Sequence, residues 1–339
     1  MSQNDFARRR LLLYLALGVL LLAIPLLITA ASESPAQAPE PSPSAEEPVH
    51  IEASLEDAGE ASFEDIPLEE SAQTGSALPA PDDTSAPDAT EQTAQEEAPE
   101  WNYETSTITV HIGRHQQDNF VYYAADIQLT DPSQFSYAFA NERFDAGTEA
   151  LSDIAERNNP LLAINGDYCG FHNNGVIIRG GELFRKQNSA RQMLIVDKNG
   201  DLSVLVDRSE KQGVVADRLM EEGVLHTFEF GPTLVENGQA VEMDSAIVRV
   251  EDGYLEPRTA IGQLGPLHYL VIVVDGRSEG YSEGCDLPTL QQLFLDHGAQ
   301  IAFNLDGGGS TTLWFNGKVI NHPASGEERK VSDIVMFMR

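Results

Sequence analysis

The chain has 339 residues, with 54 Asp and Glu against 21 Lys and Arg and a formal net charge of −33. A molecule this acidic repels a polyphosphate backbone, which excludes nucleic acid as a partner. Length alone allows two domains, but the charge is so unevenly spread that it points to one folded domain behind a segment of another kind.

In residues 1–31, Arg8-Arg9-Arg10 precede an uncharged apolar run, 11–31, long enough to cross a hydrocarbon core of about 30 Å as a helix. Arginines on its N-terminal side predict a single-pass cell-membrane protein with its N-terminus in the cytoplasm and the rest outside. A cleaved signal peptide is the alternative, because Thr29-Ala30-Ala31 offers small residues before Ser32. Residues 32–104 are rich in Pro, Ala, Ser and Glu, and hold 20 Asp and Glu with no Lys or Arg. Such a segment buries too little apolar surface to offset its ordering entropy, so it reads as a disordered stalk.

From 105 to 339 the pattern is that of one domain. Short apolar or alternating runs at 106–112, 120–129, 161–165, 192–197, 202–207, 225–230 and 268–275 predict strands. Asn237-Gly238 and Asn316-Gly317 predict tight hairpins. Helices are expected at 148–158, opening on Thr148 as cap, at 213–222 and at 287–297. The expected class is α+β: a strand-rich mixed sheet core flanked by a few helices. Two cysteines, Cys169 and Cys285, lie in the part expected to be exported, which favours a disulfide between them over two free thiols.

One unit carries more. The run 268–274 ends at Asp275-Gly276-Arg277, a helix follows with Asp286 able to cap it, and 300–305 then run into Asp306-Gly307-Gly308-Gly309-Ser310. Strand, helix, strand over this length is a crossover that makes the two strands parallel, adjacent or with one strand between. Asp275 and Asp306 should therefore project toward one cleft, since ligands bind where parallel strands end. Two further strand ends join them: Asn165-Gly166-Asp167-Tyr168, and Arg258-Thr259 entering 260–261. Together they supply carboxylates, amides, guanidiniums and free backbone for a polar, partly anionic ligand. Arg258 or Arg277 can hold a phosphate by a planar two-pronged contact. The glycines are no Walker loop, and no Gly-x-Ser-x-Gly elbow makes Ser310 a nucleophile. His172 and His322 are candidates to line the cleft.

The stretches AINGDY, PRTAIG, VVDGRSEGYSEG, FNLDGGGSTT and ERKVSDIV, spanning about 161–338, resemble the phosphodiester glycosidase domain family. That family includes the N-acetylglucosamine-1-phosphodiester alpha-N-acetylglucosaminidase that uncovers mannose 6-phosphate, and bacterial exported proteins associated with exopolysaccharide. The resemblance implies hydrolysis of a sugar from a glycosyl phosphodiester in envelope or exopolysaccharide material. It implies Asp306 and Asp275 as the acid/base or nucleophile pair, with Asp167 as third candidate. Arg258, Arg277 and Arg329 would contact phosphate, Asn165 and Asn304 would orient sugar or carboxylates, and the amides of Gly307, Gly308 and Gly309, with Ser310, would meet substrate oxygens. Where the family would place aromatics after its Asn-Gly strand end, this chain has Asp167-Tyr168-Cys169. Two other readings stand beside this one. The first is a non-catalytic module binding a phosphorylated glycan; the second is a phosphodiesterase in which Asp275 and Asp306 hold Mg²⁺ or Ca²⁺. No cofactor is required by the leading reading.

Overall fold

The computed structural model describes residues 100–206, 209–243 and 253–339. The expected anchor, and the expected stalk as far as residue 99, lie outside them. No helix among the described residues is long and apolar enough to cross a membrane.

Two sheets face each other. The larger has eight strands among the described residues, in the order Glu100–Glu104, Ile108–Gln117, Phe120–Leu129, His268–Val274, Arg258–Gly265, Ile301–Asn304, Thr233–Glu236 and Gln239–Ala240. The smaller has five: Lys318–Val319, Leu313–Phe315, Leu162–Asn165, Asp333–Phe337 and Phe135–Phe139. Strand alternation builds the layers. Val271 and Val273 of the larger sheet and Ile164, Val335 and Phe337 of the smaller share one core between the sheets. Their neighbours Leu270, Ile272 and Val274 point the other way, onto Leu290, Leu293 and Phe294 of the helix Leu287–Asp296. Ala163, Ile334 and Met336 likewise meet Leu151 and Ile154 of the helix Leu151–Asn158. The result is a helix–sheet–sheet–helix stack, an α+β fold. A three-stranded sheet (His226–Phe230, Gln192–Val196, Leu202–Leu205), the hairpin of Val176–Arg179 and Glu182–Lys186, and the helix Gln212–Glu222 complete the domain.

The crossover is present. His268–Val274 and Ile301–Asn304 are both antiparallel to Arg258–Gly265, so they run in the same direction with that strand between them. Asp286 caps the intervening helix by accepting from the Thr289 amide at 2.9 Å. Both Asn-Gly hairpins have left-handed backbone at the two turn residues, which matches the twist of the flanking strands.

Three expectations are corrected. The folded part begins before residue 105, because Trp101 and Tyr103 alternate inward on a strand, Glu100–Glu104, paired with Ile108–Gln117. The helix after Thr148 starts at Leu151 behind Ala150, with no side-chain cap. Cys169 and Cys285 are both free and buried, and they belong to different packing clusters, so no disulfide joins them.

Candidate active site

The carboxyl ends of Leu162–Asn165 and Ile301–Asn304 and the amino end of Arg258–Gly265, from both sheets, meet at Asp306. Asn165, fully buried, binds them together: its Nδ2 donates to the Asp306 carbonyl at 2.7 Å, and its Oδ1 accepts from Thr259 Oγ1 at 2.8 Å. Asn165 thus holds the backbone of Asp306 in place. The Asp306 carboxylate, 13% exposed, accepts from the Gly307 amide at 3.0 Å and from Arg329 Nη2 at 3.1 Å. Burial pushes its pKa above the ordinary carboxylate range, opposed by Ser310, Arg329 and the Gly307 amide. Ser310 Oγ accepts from Arg329 Nε at 2.9 Å, so the hydroxyl positions the guanidinium.

Asp306 and Arg329 line two cavities at once. One, about 410 Å³, is otherwise walled by Thr148, Tyr168, Phe171 and Lys330. The other, about 280 Å³, is walled by Phe230, Tyr254, Glu256, Arg258, Arg277, Asn304, Gly307 and Gly308. The first offers aromatic faces: Tyr168 packs edge-on to Phe230 at 5.0 Å, and Phe171 is 55% exposed. The second brings three guanidiniums together. Arg258, buried, donates to the carbonyls of Cys285 (3.0 Å) and Tyr254 (3.1 Å). Arg277 donates through Nε to Glu256 at 2.6 Å, which raises its pKa and leaves its outer nitrogens toward the cavity. Asn304 donates Nδ2 to the Gly231 carbonyl at 2.8 Å, and its buried Oδ1 has no partner among the described residues. Tyr168 and Arg277 both have left-handed backbone (φ 59° and 57°), conformations of the kind that surrounding structure must hold in place.

The glycine run answers to packing. A Cβ on Gly307 would lie 2.6 Å from the Pro257 carbonyl oxygen, and one on Gly308 would lie 3.1 Å from Arg277 Nη2. Gly309 is similarly pressed by Arg329 Cδ at 3.2 Å. The amides expected to meet substrate are partly engaged already: Gly307 N donates to Asp306 and Gly308 N to the Pro257 carbonyl at 2.8 Å. What the glycines supply is room for three arginines and a neighbouring strand to close on Asp306.

Residues 158–338 match the family model described as phosphodiester glycosidase. The chain belongs to the phosphodiester glycosidase family. It is similar to the SPbeta prophage-derived uncharacterized protein YomE of Bacillus subtilis (strain 168), 33% identical over 196 residues, which is 55% of this chain and 29% of that one. This chain therefore spans less than a third of that relative. Among solved structures it resembles the zebrafish N-acetylglucosamine-1-phosphodiester alpha-N-acetylglucosaminidase catalytic domain, auto-inhibited by its pro-peptide. That match has a TM-score of 0.55 and 19% identity, and covers 74% of this chain and 86% of that one. At that identity the likeness concerns the fold.

Against this family frame, two of the three candidate carboxylates sit elsewhere. Asp275 is buried and lines neither cavity. Its oxygens accept from Tyr281 Oη (2.9 Å), Asn321 Nδ2 (3.0 Å) and the His322 amide (3.0 Å), which ties the 275–282 loop to the segment after Lys318–Val319. Burial raises its pKa. With its oxygens so engaged, it is not gathered with Asp306 into a Mg²⁺ or Ca²⁺ ligand set. Asp167 lies beneath the Tyr168 loop in a closed ion cluster. Arg179 Nη2 donates to Asp167 at 3.1 Å and to Asp333 at 2.8 Å, all three side chains being within 1% of full burial. Asp167, Cys169 and Asp333 form a grouping of ligand atoms, but the guanidinium already occupies both carboxylates. His172 packs edge-on to Tyr168 at 4.6 Å, and His322 stands against Tyr281; neither lines either of these two cavities. Sequence reasoning did not single out Glu256, Phe171 or Arg179. The signal for Arg179 was a charge ending the apolar run 176–178, and Glu256 stands two residues before Arg258.

Proposed function

We propose that the domain hydrolyses a glycosyl phosphodiester, with the sugar in the Tyr168–Phe171 cavity, the phosphate among Arg258, Arg277 and Arg329, and the anomeric carbon at Asp306. One observation carries this reading: Asp306 and Arg329 are shared by an aromatic compartment and a cationic one. A sugar ring packs on aromatic faces, and a phosphate is held by guanidiniums in planar, charge-assisted contacts. The bond between the two groups then falls at the junction.

Phosphate is a fair leaving group, so binding its charge matters more than protonating it. Water adds its oxygen to the anomeric carbon, the carbon–oxygen bond to phosphate breaks, and the phosphomonoester leaves with that electron pair. Asp306, whose ionised form Arg329 and Gly307 favour, acts as base or nucleophile at that carbon. Asn304 lines the cationic cavity, and its Oδ1, buried and without a partner among the described residues, is the acceptor we assign to a substrate hydroxyl. The arginines preceding 11–31 support an anchored, extracytoplasmic enzyme acting on envelope or exopolysaccharide phosphodiesters.

The test is to incubate the purified chain with a panel of methyl diesters of sugar 1-phosphates and to measure free sugar, with and without EDTA. Release that EDTA does not affect is expected. Loss of release with EDTA would favour the metal-dependent phosphodiesterase. Binding without release from any diester would favour a glycan-phosphate-binding module.

A further inference from the structure

Glu256 is, beside Asp306, the second carboxylate in a compartment lined by three guanidiniums. Its side chain is 15% exposed, while that of its partner Arg277 is 52% exposed. Its backbone is paired in both directions with Cys285, N to O at 3.2 Å and O to N at 3.1 Å, and its carboxylate accepts from Arg277 Nε at 2.6 Å. Gly284 makes that pairing possible: a Cβ there would lie 2.5 Å from the Glu256 carbonyl. The acid is thus held beside three arginines at the place where a ligand phosphate would come to rest.

We infer that Glu256 weakens this cavity's hold on doubly charged phosphomonoesters more than on singly charged phosphodiesters, so that product leaves more readily than the arginines alone would allow. The inference rests on the phosphodiester reading above and adds to it a charge filter. A phosphodiester carries one negative charge, whereas a phosphomonoester near pH 7 carries roughly 1.5 to 2, its second pKa being about 6. Three guanidiniums alone attract the more highly charged species more strongly, and hydrolysis would then trap its own product. A fixed carboxylate repels each ligand in proportion to its charge, so its penalty on the monoester is up to about twice that on the diester. At several ångströms in a half-open cleft, each ligand charge changes binding by roughly threefold.

A role confined to orienting Arg277 predicts something different, since losing that orientation would weaken both kinds of ligand. The experiment is calorimetric titration of the full chain with methyl phosphate and with dimethyl phosphate at about pH 7.5, where the monoester is mostly dianionic. Glu256→Gln keeps an acceptor for Arg277 Nε and removes the charge. It should tighten methyl phosphate by about tenfold and dimethyl phosphate by only about threefold. Glu256→Asp keeps the charge and should keep the wild-type ratio of the two affinities. Equal shifts for both ligands in Glu256→Gln, or weaker binding of both, overturn the filter while leaving the phosphate site standing. Absence of binding by either ligand, to wild type and variants alike, overturns the phosphate site and the filter with it.

Discussion

Replacing Arg179 by Met removes a guanidinium with no solvent exposure that sits between Asp167 and Asp333 and lies 4.0 Å from the Phe228 ring centre. The variant keeps an apolar arm against Phe228 but leaves two buried carboxylates facing each other without a cation. Breaking a buried ion pair by removing one partner costs about 3–5 kcal/mol. For a domain of this size that lowers Tm by about 6–20 °C. The pH dependence gives the sharper signature. Burial, with Asp167 adding to it, already pushes Asp333 up to about 6, and burial raises Asp167 as well. A carboxylate whose folded pKa lies above its unfolded value binds its proton more tightly in the folded state. Its contribution is therefore most favourable below about pH 4 and declines as pH rises toward 6. Without Arg179 both pKa values climb further, so the penalty is largest at about pH 7.5 and shrinks at about pH 5. Urea unfolding of wild type and Arg179→Met at both pH values measures this. An equal penalty at the two pH values, or no loss near neutrality, refutes the view of the cluster as a charge-compensated bracket beneath Tyr168.

Two predictions concern the cavities. Arg329→Gln removes a donor to Asp306, and kcat/KM should fall by about a hundredfold or more. Because Arg329 lowers the pKa of Asp306, its loss raises that pKa, and the acid limb of the pH–kcat/KM profile should move to higher pH. An acid limb that stays in place would mean that another group titrates there. Phe171→Ala should leave unfolding free energy within about 0.5 kcal/mol, since the ring is exposed. KM for a glycosyl phosphodiester should rise by about two- to tenfold if the ring packs on the sugar; an unchanged KM would place the sugar elsewhere.

How much of this was legible in the sequence differs from residue to residue, for physical reasons. The crossover around Leu287–Asp296 and both Asn-Gly hairpins rest on local periodicity and turn chemistry, and they fold as read. Asp306, Arg258, Arg277, Arg329, Asn304, Gly307 and Gly308 were all expected at one cleft, and the structure gathers them at one. Asp167 and Asp275 look the same as Asp306 in sequence, each a carboxylate after an apolar run. Their partners decide the difference, and several lie far along the chain: Asp333, reached through Arg179, for one, Asn321 and His322 for the other. No local pattern encodes that. The cysteine pairing failed for the same reason, since an expected compartment says nothing about which packing cluster a thiol enters. The early start of the folded part was visible in principle, as Trp101 and Tyr103 alternate, but the acidic composition around them masked it.

The most direct test of the account is sugar release by Asp306→Asn from a diester that the wild-type chain cleaves, with Tm and dimethyl phosphate binding followed in the same preparations. The amide is nearly isosteric and its single oxygen can keep one of the two contacts, from Gly307 or from Arg329, so the fold and the arginine cavity should persist. The account predicts kcat lowered by about a thousandfold or more, with Tm and dimethyl phosphate binding close to wild type. Turnover within about tenfold of wild type would contradict it, because the carboxylate at the junction of the two cavities would then not be the group that acts on the anomeric carbon.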